Sequence, residues 1–257
     1  MPGAFLATNL ISASATITPS TEDSAYPAEN LYDKQAANVF RSESPTSLTI
    51  LIDFGASVQA DTIALINHNL TASATLKLEA DNSSPPTTDV AIPTYRQYDL
   101  WKSFTLTSKR YWLLTITDTN PADIQIGQLL LGVRTLFPRG RRIGNYSPVR
   151  EKSNISGETY AGVFWNYHLY QRRKLNPSFR VGSAAEFAIF EGLDQAVYGN
   201  LFPFLYIPDV AAADCYYVRK EPDFAPLEYH GRLYGPELVH DYQMTLIEES
   251  RGLEVLA

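Results

Sequence analysis

The chain has 257 residues, 45% of them hydrophobic and 19% charged, which excludes a wholly disordered protein and leads us to expect two domains with a substantial core. Its formal net charge of -7 opposes general phosphate binding and excludes nucleic acid as the principal partner. Cys215 is the sole cysteine, so an intrachain disulfide and a thiolate metal cluster are excluded, and assembly in a reducing cytoplasm is expected.

The first ten residues lack the basic region and long apolar core of a secretion signal, and no later run stays apolar long enough to cross a bilayer. From Ala4 to about Gly132, strand-length runs recur at 46–54, 62–66, 74–80, 101–106, 111–117 and 124–131. Turn-forming clusters at 82–86 and 118–121 punctuate them. The expectation is an antiparallel β-sandwich over 1–134.

Between Arg134 and Lys152 the chain turns basic and rich in Gly and Pro, so 135–152 reads as a junction, with a basic arm against an acidic neighbour as a second reading. Arg139, Arg141 and Arg142 are the candidate subunit contacts there, and Arg172 and Arg173 are two more further on.

Residues 153–257 read as an α+β domain serving oligomerisation. Strands are expected over 158–170 and 172–181, then one principal helix over 184–198, then strands over 214–220 and 242–249. The helix opens on a capping box, Ser183-Ala184-Ala185-Glu186, carries Phe187, Phe190, Leu193, Asp194 and Val197 at helical spacing, and has Gly199 as terminator.

Chemistry is hard to find in this sequence. None of His68, His168, His230 and His240 sits in a metal-ligand spacing, and no phosphate loop, nucleophile elbow or His-Glu-x-x-His helix is present, so neither catalysis nor any metal or cofactor is expected. His68 follows an apolar strand within Asn67-His68-Asn69, where it can face a ligand or close a turn, and the turn is the favoured reading.

Several segments in order resemble the discoidin-like, galactose-binding β-sandwich superfamily: Ala25-Tyr26-Pro27-Ala28-Glu29-Asn30-Leu31-Tyr32-Asp33, Phe40-Arg41-Ser42, Leu48 to Gly55, Asp61 to Leu70, Arg110 to Ile116 and Ile126 to Gly132. Phe40 stands where many members carry Trp, and the cysteines that staple extracellular members are missing. The resemblance implies ligand loops at 20–26, 40–46 and 67–73, with Tyr26, Arg41, His68 and Asn69 as candidate ligand residues.

Tyr-Pro-Ala-Glu-Asn-Leu together with Ile-Ala-Leu-Ile-Asn-His-Asn-Leu is similar to minor tail proteins of siphophages, and the order of elements after residue 153 is similar to distal tail and tail-tube-like proteins. That likeness implies a virion protein of the tail tip or baseplate. It would form a hexameric or trimeric ring, with tube, hub and fibre proteins as partners and a host-surface glycan as a further candidate. The alternative is a carbohydrate-binding protein with an appended glycan-processing domain, for which Glu221, Asp223, Glu228 and Glu237 are the candidate acids.

Overall fold

The structure is a computed structural model and describes residues 2–119, 122–139, 149–221 and 240–249. Its elements in chain order begin with β1 (Ala4–Leu6), β2 (Thr16–Pro19), a 3-10 turn (Ala28–Leu31), β3 (Phe40–Arg41), β4 (Ser47–His68), β5 (Thr75–Asp81), β6 (Asp89–Ala91), β7 (Tyr98–Thr117) and β8 (Gln125–Gly132). They continue with β9 (Thr135–Leu136), β10 (Val149–Glu158), β11 (Phe164–Leu175), β12 (Ser178–Val181), α1 (Ala184–Ala196), β13 (Phe204–Ile207), β14 (Tyr216–Lys220), β15 (His240–Gln243) and β16 (Leu246–Glu248). The protein is mainly β and antiparallel, with an N-terminal sandwich and a second unit of strands and one principal helix, as the sequence implies.

Two long, bent strands make both layers of the sandwich. The first part of β4 pairs with β2 and with the end of β7, which in turn pairs with β5, while the later part of β4 pairs with β8 and the start of β7. The sequence separates 46–54 from 62–66 and 101–106 from 111–117, but each pair is one strand with a register shift. Gly55 explains the first bend: it takes a left-handed φ of 72° and donates its N–H to Asp53 Oδ1 at 2.7 Å, which kinks the strand without ending it. Inside, Leu48, Ile50 and Ile52 alternate inward from β4 and meet Leu114, Ile116 and Trp112, all within 2% of full burial. The 3-10 turn seats Leu31 in this core at 0% exposure.

The second unit is built on a sheet ordered β10-β11-β16-β14-β13-β1-β9 among the described residues. β1 therefore belongs here and not to the sandwich, which corrects the boundary at 1–134: Ala4, Phe5 and Leu6 pair with Ile207, Tyr206 and Leu205. The reason is visible in its burial. Phe5 enters the core beneath α1, whereas Ala4 and Leu6 enter a core shared with the sandwich, so a strand apolar on both faces gives no alternating signal. The described ends of the junction at 135–152 belong to the second unit, since β9 pairs with β1, Phe137 stacks on Phe179 with ring centroids 4.3 Å apart, and β10 begins at Val149, while 140–148 lie outside the described residues.

Layering follows from side-chain alternation. In β4, Ile63 and Leu65 face the sandwich core while Ala64 and Ile66 join Leu130, Trp101, Leu205, Ile207 and Tyr217 between the two units. In β13, Phe204 and Tyr206 face the opposite way, onto Phe190, Leu193 and Val197 of the helical layer. Four layers result, two sandwich sheets, the second sheet and α1, and the two units are joined by apolar packing rather than by a loose linker.

α1 spans Ala184–Ala196, two residues short of the expected end because Tyr198 and Gly199 both take left-handed φ, at 51° and 73°. Ser183 Oγ accepts from Glu186 N at 3.2 Å, and the Glu186 carboxylate accepts from Gly182 N at 2.6 Å, one residue beyond the reciprocal capping-box partner.

Candidate functional site

The loop end of the sandwich gathers the residues that the resemblance selects. Arg41 lies 3.7 Å from the Tyr26 ring centroid, its Nη1 is 3.5 Å from Asp23 Oδ2, and its backbone N–H donates to the Tyr26 carbonyl at 3.1 Å. Gln125 links the two halves of the site, being paired with Arg41 in the β3–β8 ladder and donating its N–H to Asn69 Oδ1 at 2.8 Å. The geometry joins Tyr26, Arg41 and Asn69 in one neighbourhood, but it uses them to close loops.

His68 is 5% exposed, and its Nδ1 accepts from Leu70 N at 3.3 Å, so it closes the turn after β4. Asn69 Nδ2 donates to the Asp123 carbonyl at 2.8 Å, tying the same turn to the β7–β8 connection. Close by, Asp118 is buried, which by itself raises its pKa; hydrogen bonds from Thr71, Ser73 and Thr119 more than offset this and hold the carboxyl below its usual range. It therefore stays ionised as the knot of a hydroxyl cluster. Two buried polar atoms at this end, Thr21 Oγ1 and Arg41 Nε, have no hydrogen-bond partner among the described residues.

The candidate basic contacts are largely consumed within the chain. Arg139 Nε donates to Glu186 at 3.0 Å, Arg172 Nε to Glu151 at 2.6 Å across the β10–β11 pair, and Arg173 lies 3.9 Å from Glu248 and 5.3 Å from the Tyr216 ring centroid. Arg141 and Arg142 lie outside the described residues. Of the acids weighed for glycan processing, Glu221 is held by Lys174 at 2.7 Å, while Asp223, Glu228 and Glu237 lie outside the described residues. No group of three or more His, Cys, Asp or Glu suited to a metal ion occurs among the described residues.

A different surface emerges from β10 and β11. They form a hairpin that, among the described residues, pairs with the rest of the sheet at its base, where Lys174 and Leu175 pair with Ile247 and Leu246. At about 3.3 Å per residue, the rest of β11 reaches roughly 30 Å beyond that base. A two-stranded ribbon of this kind is marginal alone in water. Its side chains are unusual for one bathed in solvent: Ile155 and Tyr167 are cross-strand partners at 50% and 67% exposure, next to Trp165 at 46%, and Phe164 is 68% exposed. Trp165 packs against Gly157, where an added Cβ would come within 2.6 Å of the indole. The turn at the tip closes on Gly162, whose left-handed φ of 78° lets Thr159 N donate to the Val163 carbonyl at 2.9 Å.

Sequence reasoning placed one continuous strand over 158–170 and missed this hairpin. Its signal was the run Phe164-Trp165-Asn166-Tyr167, aromatic on both faces of a strand.

No protein-family model matches the chain. No curated protein matches it either. Among solved structures, a GH29 fucosidase of Ruminococcus gnavus in complex with fucose is similar at 18% identity over 51% of this chain and 28% of its own, with a TM-score of 0.46. Chitosan-binding module 1 from the chitosanase/glucanase of Paenibacillus sp. IK-5 is similar at 20% identity over 48% of this chain and 98% of its own, with a TM-score of 0.42. CpGH89CBM32-5 of Clostridium perfringens, in complex with GalNAc-β-1,3-galactose, is similar at 9% identity over 49% of this chain and 99% of its own, also with a TM-score of 0.42. This chain thus spans little more than a quarter of the fucosidase.

Proposed function

We propose that this protein is a non-catalytic structural component that assembles with further copies of itself through the β10–β11 hairpin, carrying the sandwich as a docking module of a bacteriophage tail tip. The observation that carries the reading is the projecting aromatic ribbon. Large apolar side chains held on a ribbon that is marginal alone gain stability by packing into a neighbour, and a head-to-tail contact of this type closes into a ring when its rotation divides a full turn. The tail-tip setting is supported by the sequence likeness to siphophage minor tail and distal tail proteins; tube, hub and fibre proteins are its proposed partners and the virion its proposed location.

A second reading, glycan recognition by the sandwich, is favoured by the buried and unpartnered Thr21 Oγ1 and Arg41 Nε at the loop end, which are polar groups that a hydroxylated ligand can satisfy. The two readings are compatible, because the hairpin and the loop end lie on different units.

Electron microscopy of the purified full chain tests the assembly reading. Closed rings of three or six subunits around a central channel are the expected outcome, and a field of isolated particles of single-chain size at high concentration would overturn it.

A further inference from the structure

Where the sandwich meets the second unit, one cavity of about 260 Å³ is bounded by the segment Thr94–Arg96, the start of β7 from Leu100 to Ser103, and the loop Val210–Ala213. The loop side is made small by Ala211, Ala212 and Ala213, and the two walls are clasped together by the ion pair of Arg96 with Asp214. Along Leu100 to Ser103, β7 pairs with β4 on one side, and no other described strand pairs with it there, so the backbone groups of its outer edge border the opening.

Trp101 is the unusual member of this wall. It is 9% exposed and packed into the core between the units, yet its indole N–H has no acceptor among the described residues. Buried donors are almost always met, because an unmet one forfeits its hydration without replacement. Of the two cations that line the cavity, Arg96 is paired with Asp214, whereas Lys102 is exposed with no ion-pair partner among the described residues. Ser103 and Tyr95 add hydroxyl groups. The set is rich in donors, and Lys102 is its unpaired cation among the described residues, on an otherwise acidic protein.

We infer that this cleft binds a small carboxylate on a hydroxylated frame, of the size of a single sugar acid. The Trp101 N–H donates to the ligand, Lys102 supplies charge, and the open edge of β7 offers groups for ligand hydroxyls. The inference is independent of assembly through the hairpin and uses no residue of the sandwich loop end.

Titration of the full chain with sodium glucuronate, followed by calorimetry at constant ionic strength, tests it, with glucose as the neutral probe and Trp101→Phe and Lys102→Gln as variants. Saturable binding of glucuronate, none of glucose, an affinity loss of about tenfold in Trp101→Phe and one of about threefold in Lys102→Gln are expected, since a buried hydrogen bond to a charged group is worth about the first factor and an exposed ion contact about the second. Lys102 is exposed, so Lys102→Gln keeps the fold and the test intact even if Trp101→Phe loosens the core. The inference is overturned if glucuronate does not saturate, if glucose binds equally well, or if folded Lys102→Gln binds as the unaltered protein does.

Discussion

Arg110 lies against Asp53 with two hydrogen bonds, Nε to Oδ1 at 2.7 Å and Nη2 to Oδ2 at 2.8 Å, across the bend of β4 where Gly55 also donates to the same carboxylate. These bonds hold the Asp53 carboxyl at about 2, below its ordinary 3.8. A carboxyl whose folded pKa is depressed stabilises the fold above its ordinary value, and that contribution is lost as pH falls through the folded value. The thermal midpoint of Asp53→Asn should thus lie below that of the unaltered protein above pH 3.8, with the gap closing as pH is lowered toward about 2. A gap that stays constant across this window would show that the pair adds nothing through its charge. At this scale the sequence was partly legible. His68 beside Asn67 and Asn69 was readable as a strand end, and its ring accepts from Leu70 N where the chain leaves β4, whereas the ion pairs that occupy Arg139, Arg172 and Arg173 join residues 21 to 75 positions apart, a separation that no local pattern encodes.

Helix α1 was the most legible element, because its cap, its apolar spacing and its terminator are all local. Ser183 caps it, and Phe190 and Leu193 are 1% and 0% exposed. Replacing Ser183 with Ala removes one amide partner and should cost about 1 kcal/mol in chemical denaturation. Phe190→Asp is expected to unfold the second unit: Phe190 lies among Phe137, Phe179 and Tyr242, with ring centroids 4.3 to 5.6 Å away, where an unpaired charge costs on the order of several kcal/mol. Circular dichroism that matches the unaltered protein would refute the packing. Strands were read less well where both faces are buried. The runs at 62–66 and 204–207 look continuous because each lies between two cores, so their length is clear from the sequence and their neighbours are not.

For the whole molecule, the sandwich and the second unit were foreseen as separate domains joined by a basic stretch, and what joins them is different: β1 lies in the second sheet, and Ala64, Ile66 and Leu130 of the sandwich pack on Leu205 and Ile207. A three-residue strand that begins the chain yet pairs some 200 residues away leaves no mark in hydrophobic periodicity, which reports neighbours along the chain only. The hairpin was hidden for a related reason. Aromatic residues on a strand read as core, and only the fold reveals that Trp165 and Tyr167 stand clear of both cores.

The β10–β11 ribbon, with its exposed Phe164, Trp165 and Tyr167, makes self-association through it the central claim. The most direct test is the mass in solution, by light scattering over a range of concentrations, of the full chain beside its Trp165→Ser, Tyr167→Ser double variant. Both side chains project from an exposed ribbon, so the variant should keep the fold. The expected result is a multiple of 28.7 kDa for the unaltered protein and a single-chain mass for the variant. A mass of 28.7 kDa for both at every concentration, or an oligomer that the variant leaves intact, would contradict the account.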